Sequence, residues 1–423
     1  MYKKTTLENG LRIITVPQEQ SQTVTVLVLV GTGSKYEKKE VSGVSHFLEH
    51  MLLKGTLKRP TEMDVFGAID GVGGAFNAFT GDDFTGYYAK VQSSKFEFAF
   101  DWVSDIFLNS TLPAEEIEKE RGAIIEEINM FYDHPMRHIW DLWNEVLYGD
   151  QPAGWNIAGT KETVSKIKRE DLASYRKNQY VSSDTIVCIS GNFKEQEAIA
   201  LVQKYFSEIS SSKPFSKLAV EESQNHPEIL IYSKNNNQTQ IALGVRTYNH
   251  FHPRKYALEM LSAVLGGMAS SRLMEEVRIK RGLAYDVHTE NIMNSDTGSL
   301  VAAANLDTSR LHEGIKVILG EFKKMAGVKI SEDELKKAKD NYIGRSSIAL
   351  ESSHALASFY AEQELLEGGI LTPEDIFAKI NSVTAEEILA VAQDIFKPEK
   401  LNLALVGPFK EKEEFINLLN SNL

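Results

Sequence analysis

Three features of the 423-residue sequence predict an α+β fold made of two similar halves. The first is an internal repeat. Residues 177–208, "KNQYVSSDTIVCISGNFKEQEAIALVQKYFSE", resemble 393–423, "QDIFKPEKLNLALVGPFKEKEEFINLLNSNL". Each reads as a helix end, an apolar strand, a glycine followed by Asn-Phe or Pro-Phe, and an acidic amphipathic helix. Tyr180 to Gly191 and Phe396 to Gly407 span the same interval, so the copies lie 216 residues apart, about half the chain. The second feature is that strands follow one another without an intervening helix, which favours largely antiparallel sheets covered by helices over a doubly wound sheet. The third is "SSSKPFSKLAVEESQNHPE" (210–228), polar and Pro-containing, the composition of a linker. The division that results is a domain at 1–212, a linker at 213–228 and a homologous domain at 229–423.

The elements can be taken in chain order. "MYKKTTLENGLRIITVP" lacks the apolar core of a leader and reads as a hairpin turning at Asn9-Gly10. "RIITVP", "TVTVLVLVG" and "DFTGYYAKV" carry β-branched or aromatic residues in strand-length runs. Helical periodicity marks about 42–54, 61–71, 95–108, 113–132 and 163–176. In the second half "EILIYS", "TQIALGVR", "LAYDVHTENI" and "GSLVAAANL" read as strands, with helices near 254–266, 270–280, 308–326 and 331–363.

Composition narrows the function. Apolar residues make up 42% and charged residues 25%, as in ordinary globular chains. The net charge of −13, from 46 basic and 59 acidic residues without a Lys/Arg cluster, argues against nucleic acid or anionic membrane as a partner. No apolar run reaches the length of a membrane span, and the expected location is the cytoplasm. The one cysteine, Cys188, lies in the apolar run "TIVCIS" and reads as an inert buried thiol, which excludes an intramolecular disulfide or a Cys-based metal cluster.

The stretch "SHFLEHMLLKGT" (45–56) carries the chemistry. On a helix, Val44, Phe47, Leu48, Met51 and Leu52 share an apolar face, and His46, Glu49 and His50 share the opposite one. Neutral imidazoles at i and i+4 can reach one Zn²⁺ ion. Glu49 falls beside the water such an ion would carry and is placed to take its proton. This His-x-x-Glu-His order occurs among zinc peptidases. Taken alone, it describes the wet side of an amphipathic helix equally well, so a third ligand is needed.

The source of that ligand is "PAEEIEKERGAIIEEINMFYD" (113–133). With Ile117 set at zero, Ile124 and Ile128 lie within roughly 20° of it, while Glu120 and Glu127 lie at about 300° and 280°. The two carboxylates therefore border the buried seam two turns apart, whereas Glu126 points to water. A carboxylate at the core's edge needs a partner, and a metal held by two histidines is one. Glu127 is assigned as the third ligand and Glu120 as its neighbour.

Together "HFLEHMLLKGT", "GGAFNAFTGDDFTGYYAKV", "EKERGAIIEEI" and "DQPAGWNIAGT" resemble the pitrilysin family of inverted-motif zinc peptidases, which includes mitochondrial processing peptidase and insulin-degrading enzyme. By that resemblance His46, His50 and Glu127 bind one Zn²⁺ per chain, Glu49 is the general base and Glu120 supports the site. The resemblance also gives "EEVRIKRGLAYDV" a role, with Arg278 and Tyr285 holding substrate and stabilising the oxyanion. Taken singly, Arg278 would merely face a helix C-terminal dipole and Tyr285 would pack in the sheet. Asn77, Ala78, Phe79 and Thr80 ("NAFT") correspond to an edge strand beside the zinc that binds substrate by strand addition. The implied activity is endopeptidase cleavage of peptides or short unfolded segments in a closed chamber. A chain of this length would complete the chamber as a homodimer, with the metal motif of one subunit facing Arg278 and Tyr285 of its partner. The competing reading is a non-catalytic subunit, or the partner in a heterodimer, of the same fold. A third, a His-x-x-Glu-His lyase with a cysteine ligand, conflicts with the duplicated length and with the placement of Cys188.

Overall fold

The structure is a computed structural model and describes residues 2–422; the terminal residues of the predicted domains, Met1 and Leu423, lie outside it. It contains two mixed sheets. The first has the order β1-β2-β6-β3-β5-β4, from β1 (Lys3–Thr6), β2 (Arg12–Pro17), β3 (Thr23–Val30), β4 (Ala75–Thr80), β5 (Thr85–Gln92) and β6 (Thr185–Gly191). The second has the order β7-β11-β8-β10-β9, from β7 (Glu228–Ser233), β8 (Gln238–Arg246), β9 (Ala284–Met293), β10 (Gly298–Asp307) and β11 (Leu401–Gly407). Omitting β1, the two orders are identical. Each sheet holds one parallel pair, β2 with β6 and β7 with β11, and is otherwise antiparallel. β6 and β11 keep the 216-residue offset of the sequence repeat.

The first turn forms as the sequence predicts. β1 and β2 pair antiparallel, and Gly10 takes a φ of 89°, a conformation that favours glycine. The strand "TVTVLVLV" is buried on both faces, which explains its nearly continuous apolar character. Val24, Val26, Val28 and Val30 enter one core with Val44, Phe47, Leu48 and Met51. Leu27 and Leu29 enter another on the opposite face, with Ile14, Ile186 and Cys188.

The compact units are not contiguous stretches of chain. One contains Met1–Asn129, Asn156–Leu218 and Ser347–Ile370; the other contains Met130–Trp155, Ala219–Ser346 and Leu371–Leu423. The boundaries at 212 and 229 follow the repeat, but each unit also takes a helix from the other half of the sequence. Helix Ser353–Glu367 places Ala357, Tyr360 and Ala361 on the first sheet. Helix Pro135–Tyr148 places Ile139, Leu142, Trp143 and Leu147 on Ala242, Val301, Ala404 and Val406 of the second. Trp143 is fully buried in this cluster, and Trp140 packs against it partly buried.

Several boundaries differ from the sequence reading. The single helix expected at 331–363 is two, Glu332–Ala349 and Ser353–Glu367, because the Ser352 side chain accepts from the Ala355 N–H and starts a new helix. The helix expected at 163–176 is likewise divided into Lys161–Val164 and Arg169–Gln179, each with its own capping interactions. The segment at 270–280 contains a π-helical turn, Met274–Ile279, in place of a regular α-helix. Helix Pro135–Tyr148 was not among the expected elements, although Pro135 at its first turn and Gly149 beyond its end mark it.

Candidate metal centre

The motif helix, Val44–Leu52, is fixed at its N-terminus by a buried carboxylate. Glu37 accepts from the backbone N–H groups of Gly43 (2.7 Å) and Ser45 (2.8 Å). Burial raises its pKa to about 8 against these lowering hydrogen bonds. Gly43 itself has a φ of 94°, and a Cβ there would stand 2.5 Å from the Ala158 carbonyl oxygen. The glycine before the motif and the "IAGT" stretch are thus two sides of one close contact.

From this anchor the helix sends its apolar residues into the core and leaves His46, Glu49 and His50 half-buried on the other side. The two Nε2 atoms approach to 3.2 Å. Each lies 3.7 Å from Oε2 of Glu127, which helix Ala114–Asp133 supplies. Donor atoms of His46, His50 and Glu127 all fall within 4.8 Å of one another. Glu126, beside Glu127 in sequence, is exposed.

Glu120 is buried one layer behind. Its Oε1 lies 2.7 Å from His50 Nδ1, and its Oε2 is 2.6 Å from Lys54 Nζ. Burial opposes ionisation of Glu120, but the hydrogen bonds from His50 and Lys54 hold its carboxyl below the usual range. An ionised Glu120 accepts the Nδ1 proton of His50 and leaves the Nε2 lone pair for a metal. Burial, reinforced by the neighbouring His50, lowers the pKa of His46 to about 3, so its imidazole is neutral as a ligand must be. For His50 burial also lowers the pKa, and the hydrogen bond with Glu120 and the nearby carboxylates outweigh it to give a net rise. Two imidazoles and one carboxylate converging on a point form a donor set that fits Zn²⁺.

Glu49 faces the sheet edge. Its Oε2 accepts a 2.7 Å hydrogen bond from Thr80, the last residue of β4. Burial raises its pKa more than Thr80 and His50 lower it. β4 is the outer strand of its sheet, with Asn77 exposed, Ala78 buried, and Phe79 and Thr80 half-buried. Phe79 stands opposite Gly86 on β5, where a Cβ would come within 2.7 Å of the Phe79 ring.

Arg278 and Tyr285 belong to the other unit. Arg278 lies in the π-helical turn, and Gly282, at a φ of 57°, reverses the chain into β9, which carries Tyr285. The Arg278 guanidinium stands 4.7 Å from the centre of the Tyr285 ring. Tyr285 is 77% exposed, so it is not packed into the core of its sheet.

His134 is exposed, whereas His138 is buried with its ring against Tyr132 and Tyr232. Cys188 is buried, and desolvation raises its thiol pKa, as expected of an inert side chain. Two residues in contact with the centre were not assigned those contacts from sequence. Lys54 sits inside the quoted motif, four residues after His50, a spacing that could have drawn attention to it. The sequence suggests a backbone role for Thr80, whereas its hydroxyl is the part that touches Glu49.

The chain is similar to known proteins both in sequence and in fold. Residues 12–161 match the profile described as insulinase (peptidase family M16), and residues 166–342 match that of the peptidase M16 inactive domain. An uncharacterized zinc protease of Mycobacterium leprae is 35% identical over 97% of this chain and 92% of its own length. The uncharacterized zinc protease YmxG of Bacillus subtilis is 32% identical over 96% and 98%. A protease from Helicobacter pylori has the same fold, with a TM-score of 0.90 at 23% identity over 96% of this chain and all of its own. A chain of complex III2 from Candida albicans has a TM-score of 0.84 at 18% identity over 99% of both. No helix among the described residues is long and apolar enough to cross a membrane.

Proposed function

Because this chain belongs to peptidase family M16, we propose that it is a zinc-dependent endopeptidase acting on peptides or short unfolded segments held as an added strand along β4. The observation that carries this reading is the convergence of His46, His50 and Glu127, with Glu49 tied to the edge strand beside them. His46 and His50 through Nε2, and Glu127 through its carboxylate, would hold the ion. Zinc bound there supplies Lewis acidity and makes a water molecule acidic near neutral pH.

The other steps fall to side chains of this chain. Glu49, raised in pKa by burial, takes a proton from the attacking water and delivers it to the departing amine. Thr80 keeps one oxygen of Glu49 hydrogen-bonded and directs the carboxylate toward the strand edge. A peptide adding to β4 pairs through its backbone, so extended shape and length count for more than any one side chain. The Tyr285 hydroxyl donates to the oxyanion, and Arg278, lying over its ring, holds substrate. We place Arg278 and Tyr285 of one subunit against the metal centre of a second copy, in a homodimer.

The experiment is cleavage of a quenched peptide library by wild type and by Glu49→Gln, with zinc counted in both. Cleavage by wild type and none by a zinc-loaded Glu49→Gln protein supports the reading. The match of residues 166–342 to the inactive-domain profile leaves open a second one, a non-catalytic subunit of the same fold. A wild type that neither holds zinc nor cuts any peptide would overturn the peptidase reading in favour of that alternative.

A further inference from the structure

We propose that Lys54 is a positioning residue: through Glu120, it fixes His50 in the orientation and tautomer that a divalent ion requires. This inference rests on the zinc site proposed above. Lys54 follows the motif helix, and its backbone N–H is still bonded to the Met51 carbonyl. Its side chain turns back toward the site, with only 12% exposed, and its Nζ stands 2.6 Å from Glu120 Oε2 and 2.6 Å from Glu62 Oε1. Glu62 is itself anchored, in the first turn of a helix that a reciprocal Thr61–Asp64 capping interaction starts. A continuous line of contacts therefore runs Glu62–Lys54–Glu120–His50.

That line supports only one of the two histidines. His50 Nδ1 lies 2.7 Å from Glu120, whereas His46 Nδ1 is buried and has no hydrogen-bond partner. A metal-binding imidazole is normally oriented by an acceptor on its second nitrogen. Here Glu120 is that acceptor, and Lys54 determines which way Glu120 points. With Oε2 held by Lys54, the Glu120 carboxylate cannot rotate toward the cluster and compete with Glu127 as a ligand. Lys54 also balances charge. Glu49, Glu62, Glu120 and Glu127 bring four carboxylates to the site and its border, and the Lys54 ammonium pairs with two of them, Glu62 and Glu120.

A purely electrostatic role and a positioning role predict opposite results. If Lys54 merely supplies positive charge, removing it makes the site more negative, and zinc binds as tightly or more so. If Lys54 holds Glu120 in place, zinc binds more weakly. The test measures the zinc dissociation constant of the full chain by competition with a chelating dye, with thermal unfolding of the metal-free proteins as the check on folding. Lys54→Met should weaken zinc binding about 10–100-fold. Lys54→Arg, which keeps the charge and can still donate to both carboxylates, should bind zinc more tightly than Lys54→Met. If Lys54→Met does not fold, Lys54→Gln replaces it with the same expectation. Unchanged or tighter binding in the neutral variant overturns the proposal, as does a folded Lys54→Arg as weak as Lys54→Met. Absence of zinc from wild type overturns the metal reading along with it, whereas equal binding in wild type and Lys54→Met overturns the role of Lys54 alone.

Discussion

Thr80 donates a 2.7 Å hydrogen bond to Glu49, joining the end of the sheet's outer strand to the carboxylate between the two histidines. The strand proposed to take substrate and the group proposed to move the proton are therefore one connected unit. Thr80→Val keeps the shape and removes the donor. Its kcat should fall about tenfold, the scale of one lost hydrogen bond to a charged group, with zinc content unchanged. Thr80→Ser should keep most of the activity. Steady-state kinetics with metal counting decide this, and a Thr80→Val protein at wild-type kcat would detach Thr80 from catalysis.

The ligand assignment is tested by two adjacent glutamates. Glu127 lies 3.7 Å from both Nε2 atoms, and Glu126 faces water. Glu127→Gln should lose zinc or most of the activity, and Glu126→Gln should keep both. Equal metal content and equal activity in the two variants and wild type would remove Glu127 from the ligand set.

Strand addition makes a prediction about the substrate itself. A proline within the pairing segment removes a backbone donor, so moving one proline along a good substrate should give a window of poor cleavage. Uniform cleavage at every proline position would count against pairing along β4.

The shared-site arrangement is tested by mixing two inactive proteins. Tyr285→Phe should lower turnover about 10²–10³-fold while keeping zinc, if its hydroxyl stabilises the oxyanion. Mixing it with Glu49→Gln should restore activity in a homodimer whose sites draw on both chains, because one of the two sites is then intact. No recovery despite demonstrated subunit exchange would put both elements of a site in one chain.

Asp184 gives a pH signature away from the site. Burial raises its pKa from 3.8 to about 6, with Arg12 opposing. The folded state thus holds this proton more tightly than the unfolded chain. The resulting stabilisation is complete below the unfolded value and is lost as pH rises through about 6. Asp184→Asn should therefore be more stable than wild type by up to about 3 kcal/mol near pH 7.5, narrowing to about 1 kcal/mol near pH 4.5. Denaturant midpoints at the two pH values measure the difference, and a gap that does not change with pH would mean that Asp184 titrates normally.

What was legible in the sequence was largely a matter of angles. Helical periodicity alone puts His46, Glu49 and His50 on one face, and Glu120 and Glu127 at the border of an isoleucine seam, and the structure brings these residues together. Contacts made by side chains reaching between elements were not legible. Lys54 lies beyond the end of its helix and meets Glu120 only because two helices pack together. The π-helical turn ahead of Tyr285 was hidden too, since it changes hydrogen-bond register without a distinctive composition. The repeat revealed which strands correspond, but an apolar helix face does not say which sheet it will meet. For that reason Pro135–Tyr148 and Ser353–Glu367 could not be assigned to their sheets in advance.

That assignment sets the order in which the chain can mature as it leaves a ribosome. All six strands of the first sheet have been made once Gly191 emerges, yet Leu27, Leu29 and Ile186 must wait for Ala357 and Ala361 to cover them. Meanwhile Leu142 and Trp143 are made early and have no sheet to cover until β8, β10 and β11 exist. Two sticky faces thus remain open through most of synthesis. The covering elements, helix Ser353–Glu367 and β11, lie in the last sixth of the chain, and a product truncated before residue 353 would leave Leu27, Leu29 and Ile186 without that helix.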